Sequence, residues 1–231
     1  MDPTVSPLAL SLDGSIAALF VVFGLGVMVS RQMLGSLRFF MWQSVALTAS
    51  ALVLADALQA INLLWVALIT FSTKVIAVPL VLRWAAGEEV YGRREVDQAL
   101  SISASVLVAA ILALVGWLAV APVLPVIHGA PFALLNLPTG LIMVLWGAFT
   151  VALRRESVAQ LMGLLTMENG AFFGSIAIVH NLTVIAEIAA AVDVPIVARG
   201  QLSATLVPAW LTVAWSSRTL RVVPRVCPSN L

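Results

Sequence analysis

The sequence predicts an all-α, polytopic membrane protein: one domain over residues 1–231 built as a bundle of about seven transmembrane helices, with its N-terminus outside and its C-terminus cytoplasmic. Three observations carry that reading. Only 10% of the 231 residues are charged and 61% are hydrophobic, with a mean hydropathy of +1.08. A soluble domain carries roughly 25% charged residues, so these charges cannot cover a water-facing surface. The apolar residues also fall in runs of bilayer length, with none of the period-two alternation of a membrane barrel. Basic residues, finally, gather at every second gap between those runs.

The runs, in order, are 14–30, 38–55, 58–83, 99–123, 132–153, 157–180 and 184–216. Each is helical because lipid cannot satisfy an open backbone. The seventh is too long for one straight crossing and holds Pro195 and Pro208, which predict a kink or an interfacial start. The longest predicted connector, residues 85–98, mixes both signs of charge, and residues 123–131 form a loop punctuated by proline and glycine.

Orientation follows from the arginines. Arg31 and Arg38 fall in the first gap, Arg83, Arg93 and Arg94 in the third, and Arg154 and Arg155 in the fifth, with Arg218, Arg221 and Arg225 in the tail. These are ten of the 12 basic residues, all on one side. The positive-inside rule makes that side cytoplasmic. The other two, Lys74 and Arg199, fall inside predicted helices.

Composition also narrows the chemistry. One cysteine, Cys227, can make neither an internal disulfide nor a cysteine-ligated metal site, and His128 and His180 sit at helix ends. No nucleophile, nucleotide motif, metal cluster or nucleic-acid patch is present, so neither catalytic nor metal-ligating residues are expected in this chain. Residues 1–13 hold no Lys or Arg and contain Asp2 and Asp13, the reverse of a cleavable signal's basic start.

The intramembrane charges are the candidates for function. An ionised side chain at the bilayer centre costs from about 2.5 to above 10 kcal/mol, and such residues mark ion or proton pathways. Glu168 lies twelve residues past Glu156, about 18 Å along a helix. Lys74 lies nine residues before Arg83, about 13 Å from the same boundary. The depths are close enough for the two to communicate. A coupled Glu–Lys pair shifts each partner's proton affinity, and lysine, unlike arginine, can lose its charge. Pro79 frees a backbone carbonyl near Lys74. The plainer alternatives are structural pairing for Glu168 and snorkelling for Lys74. Glu187 and Asp193, followed by Arg199, lie towards the outer side; Gln43 and Ser44 on the second run and Asn169 beside Glu168 are secondary polar candidates. Gly163, Gly170 and Gly174 on the sixth run suit close helix approach.

Four stretches resemble a known family: FMWQSVALTASALVL at 40–54, FSTKVIAVPLVL at 71–82, TMENGAFFGSIAI at 166–178 and EIAAAVDV at 187–194. Together they resemble the E-type membrane component of hydrogenase-4 and formate hydrogenlyase complexes, over most of the seven-helix core. That family is related to the K-type small membrane subunit of complex I and to subunits of multisubunit cation/proton antiporters. The last three helices, about 132–216, are the part similar to the K-type subunit. Its GLELM-type motif aligns with GLLTMENG at 163–170, with Leu165 at the glutamate position and Glu168 three residues later. Three residues turn a helix by about 300°, so the acid would keep nearly the same face.

The resemblance implies a non-redox membrane-arm subunit of a group 4 membrane-bound [NiFe]-hydrogenase in a bacterial or archaeal cytoplasmic membrane. Glu168, Lys74, Asp193 and Glu187 would be proton-path residues. The chain itself would hold no cofactor; nickel–iron and iron–sulfur centres would belong to partners, among them antiporter-like membrane subunits. Two alternatives remain open, a cation/proton antiporter subunit without hydrogenase and a structural membrane spacer.

Overall fold

In the computed structural model of the chain, residues 6–82, 101–127, 131–154 and 157–178 are described. Helix α1 (Pro7–Val29) starts where Ser6 accepts a hydrogen bond from the Ala9 amide and Pro7 takes the first helical position, a site that needs no backbone donor. Helix α2 (Met33–Ala57) ends in a two-residue reversal. There Gln59 adopts a left-handed φ of 50° and the Ala60 amide bonds the Ala55 carbonyl, the six-to-one bond of a Schellman cap.

Helix α3 (Ile61–Leu82) changes register midway, and Phe71–Ala77 is π-helical. Helix α4 (Ile102–Val120) is opened by Ser101, which accepts from the Ala104 amide. A short 3-10 turn (Leu124–Val126) leads towards α5 (Ala133–Leu153), and α6 (Ser157–Ile176) follows.

No strand forms among the described residues, and five helices are long and apolar enough to cross a membrane. The sixth, α6, has the length but carries Gln160, Glu168 and Asn169, which lower its apolarity. Predicted and observed helices coincide in the core, with one consequential shift: α1 begins seven residues before its predicted start, so Asp13 lies within it. Arg38, expected in a gap, is an exposed residue of α2. The seventh predicted run, with Glu187, Asp193, Arg199, Pro195 and Pro208, lies outside the described residues, as do the 85–98 connector, His128 and His180.

Helix α1 packs on α2, α2 on α3, α4 on α5 and α5 on α6, with α1, α2, α5 and α6 at the centre and α3 and α4 at the rim. The tightest contact is α5 on α6. An added Cβ at Gly140 would meet Gly170 O at 2.5 Å and Gly174 N at 2.7 Å, and one at Gly163 would meet Gly147 O at 2.9 Å. The glycines predicted to permit close approach do so, backbone against backbone. Elsewhere Phe20 stacks on Phe173 with centroids 4.3 Å apart, and the Trp146 indole donates to Ala109 O at 2.9 Å, tying α5 to α4. Leu107, Leu114 and Leu118 on α4, and Leu64, Trp65 and Leu68 on α3, stay exposed. In a water-soluble protein that much contiguous apolar surface would be a liability; against lipid it is the required exterior.

Candidate functional site

Two groups of residues meet inside this bundle. The first joins α3 to α6. Lys74 stands on the π-helical turn, where the Val78 amide reaches back five residues to Thr73 O. Inserting one extra residue into a helix re-aims its side chains, and such turns concentrate at functional sites. Pro79, directly after, has no amide to restore the ordinary register. The turn directs Lys74 inward: its Nζ lies 2.8 Å from Glu168 Oε1 and 4.8 Å from the centre of the Phe172 ring. Lys74 therefore pairs within the bundle instead of snorkelling.

The two partners differ in access. The Lys74 side chain is 3% exposed and that of Glu168 is 23% exposed. The ammonium is held between a carboxylate and an aromatic face, where a positive charge is favoured. The carboxylate is the member that retains an opening.

Next to Glu168, Asn169 points to α2. Its Nδ2 donates to Ser44 Oγ at 3.2 Å and to Gln43 Oε1 at the longer distance of 3.4 Å, and Gln43 Nε2 in turn meets Met143 Sδ at 3.3 Å. Gln43, Ser44 and Asn169 are all fully buried. Gly24 makes room here, since a Cβ on it would collide with Met143 Sδ and approach Gln43 Nε2. The predicted residues Lys74, Glu168, Asn169 and Gln43 are thus brought into one neighbourhood spanning α3, α6 and α2. Asp193, Glu187 and Arg199 lie outside the described residues.

Two buried polar features are not anticipated by the sequence pattern. Arg154, expected as a loop charge, is 3% exposed. Its Nη2 donates to Val27 O and Met28 O at 3.0 Å each and to Ser30 O at 2.8 Å. These carbonyls end α1, where the helix dipole is negative, so the guanidinium caps a helix C-terminus contributed by another part of the chain. The second feature is Asp13, which receives a hydrogen bond from the Ser50 hydroxyl and lies against Asn136. The signal for Asp13 is the Ser6–Pro7 pair, a cap followed by a first-turn proline, which starts the helix before the apolar run does.

Among the described residues no group of three or more His, Cys, Asp or Glu side chains gathers as a metal site. The arrangement brings together a charged pair, amides and hydroxyls that donate and accept, and an apolar enclosure.

No family model matches this chain, and no solved structure matches it. A curated protein of Mycobacterium tuberculosis (strain ATCC 25618 / H37Rv), the uncharacterized protein Rv0085, is 26% identical over 165 residues, covering 71% of this chain and 74% of its own length.

Proposed function

We propose that the chain is a multi-pass subunit in the membrane arm of a hydrogenase-4 or formate-hydrogenlyase-type complex and that its Lys74–Glu168 pair forms part of a proton-translocation path. The observation that carries this reading is the pair itself, at 2.8 Å, with Lys74 on a π-helical turn. In this reading the seven predicted crossings stand in a bacterial or archaeal cytoplasmic membrane, with the end bearing Arg31, Arg38 and Arg154 cytoplasmic. The redox centres belong to partner subunits.

The residues then act in sequence. A proton reaching Glu168 neutralises its carboxylate and weakens its hold on the Lys74 ammonium. Lys74 then stays under the Phe172 ring or passes a proton on. The amide and hydroxyl groups of Asn169, Gln43 and Ser44 offer neighbouring donors and acceptors. No electron is transferred in this chain.

The test is proton translocation against electron-transfer turnover in sealed vesicles holding the assembled complex, for Glu168→Gln and Lys74→Met. Retained assembly with lost or uncoupled translocation supports the reading. Unchanged activities would make the pair structural and the chain a spacer. Co-purification of nickel-containing partners separates the hydrogenase reading from an antiporter subunit, whose activity would instead depend on sodium or potassium.

A further inference from the structure

Helix α2 presents one buried polar face along most of its length. Ser36, Gln43 and Ser50 recur every seven residues and all are fully buried, a file of about 21 Å along the axis. At its cytoplasmic end the Ser36 hydroxyl donates to Val27 O, which Arg154 also contacts. In the middle, Gln43 and Ser44 meet Asn169, the neighbour of Glu168 in sequence. At its outer end stands Ser50, donating to Asp13 Oδ1.

Asp13 is 1% exposed. The groups facing it contain no cation among the described residues. Helix α2 offers the Ser50 hydroxyl and, nearer its end, the exposed Asp56; α5 offers Asn136; neither α4 nor α5 carries a titratable residue, and α6 carries only Glu168. Arg31, Arg38 and Arg154 lie towards the other end of the bundle, and Lys74 is paired with Glu168 near the level of Gln43 and Asn169. Asn136 is fully buried with its side-chain amide against the carboxylate, a second polar neighbour beside Ser50. With no cation beside it among the described residues, a bound proton or a bound ion is what would compensate the enclosed carboxylate. Asp13, Ser50 and Asn136 supply side-chain oxygens from only three residues, fewer than the roughly six to eight oxygen ligands a calcium ion takes. A proton fits.

We propose that Asp13, Ser50 and Asn136 form a second intramembrane proton-binding station, in the outer half of the bundle, joined to the Lys74–Glu168 neighbourhood by the polar face of α2. Its place in a translocation path rests on the function proposed above; its binding of a proton does not. On uptake, the Asp13 carboxylate and one proton become the carboxylic acid, whose O–H donates to Asn136 Oδ1. Release returns the proton and restores the carboxylate, which keeps the Ser50 hydrogen bond.

The experiment is infrared difference spectroscopy of the full chain in lipid, with whatever partners co-purify, recorded between acidic and alkaline pH. The expected result is a carboxylic-acid C=O band that is lost in Asp13→Asn and kept in Glu168→Gln. It moves to higher frequency in Asn136→Leu and shifts in Ser50→Ala, because a C=O band reports the hydrogen bonds around it. A wild-type spectrum indistinguishable from that of Asp13→Asn overturns the proposal. So does a band that appears at fixed pH only when sodium is withdrawn, which would make the site a cation site. Should Asp13→Asn fail to fold, the Ser50→Ala and Asn136→Leu shifts decide alone, and their absence overturns it. If Glu168→Gln leaves translocation intact while the Asp13 band behaves as described, the proposed function falls and the station stands; the reverse pattern leaves the function and removes the station.

Discussion

Lys74 Nζ reaches Glu168 Oε1 at 2.8 Å from the only described helix that changes its hydrogen-bond register. Removing one partner of a buried ion pair leaves an uncompensated charge and typically costs about 3–5 kcal/mol. Lys74→Met and Glu168→Gln are each expected to destabilise the chain, Glu168→Gln less, since its side chain is partly open and Gln keeps the shape. The double variant is expected to lose clearly less than the sum of the two. Unfolding in a bilayer mimetic measures the cycle, and strict additivity would show that the pair is not coupled.

The glycine seam between α5 and α6 gives a contrast within one interface. Gly140→Ala drives a methyl into the backbone of Gly170 and Gly174, whereas at Gly174 the nearest atoms lie 3.7 Å away. Overpacking costs about 1–3 kcal/mol, so Gly140→Ala is expected to lower thermal stability by that order. Gly174→Ala should stay near wild type. Equal effects at the two sites would contradict the packing described.

Arg154 holds three carbonyls at the end of α1. Hydrogen bonds to charged groups contribute about 1.5–3 kcal/mol, and Arg154→Gln is expected to lose that much. Arg154→Lys keeps the charge but not the fork geometry and should recover only part of it. Hydrogen exchange at Val27–Ser30 is the local readout: faster exchange in Arg154→Gln is expected, and unchanged exchange would refute the capping role.

Orientation can be read with cysteine labelling, because Cys227 is the sole native thiol. In a Cys227→Ser background, a membrane-impermeant maleimide is expected to label Asp56→Cys in intact right-side-out vesicles. Gln32→Cys should react only after permeabilisation. The opposite pattern would invert the assignment of the basic end.

Much of this architecture is legible in the sequence because bilayer solvation is a blunt rule. Apolar length marks the crossings, and depth along an ideal helix brings Lys74 and Glu168 to one level. Gly163 and Gly170 announce the seam. Other features are settled by tertiary contact. Asp13 stands one residue before the predicted first run and reads as a terminal acid until Ser6 and Pro7 are seen to start the helix. Ser50 and Asn136 are ordinary polar residues in apolar runs, and only their convergence on Asp13 makes them a site. Arg154 reads as a solvated charge because the carbonyls it caps belong to a distant stretch of chain. The π-helical register at Phe71–Ala77 leaves only Pro79 as a trace.

The two sides of the ion pair differ in what they can do mechanically. Glu168 rides on a hairpin whose helices touch through main-chain atoms at Gly140, Gly147, Gly163 and Gly170, a contact with little room to shift; it is placed as the fixed jaw of a clamp. Lys74 sits on the one described turn with a surplus residue, and surplus residues can be passed along a helix. Sliding that surplus past Lys74 swings its side chain by about 100°, enough to carry the ammonium off the carboxylate without moving the helix ends. A re-registering of backbone hydrogen bonds at that turn is the movement this geometry would allow without displacing the helix ends.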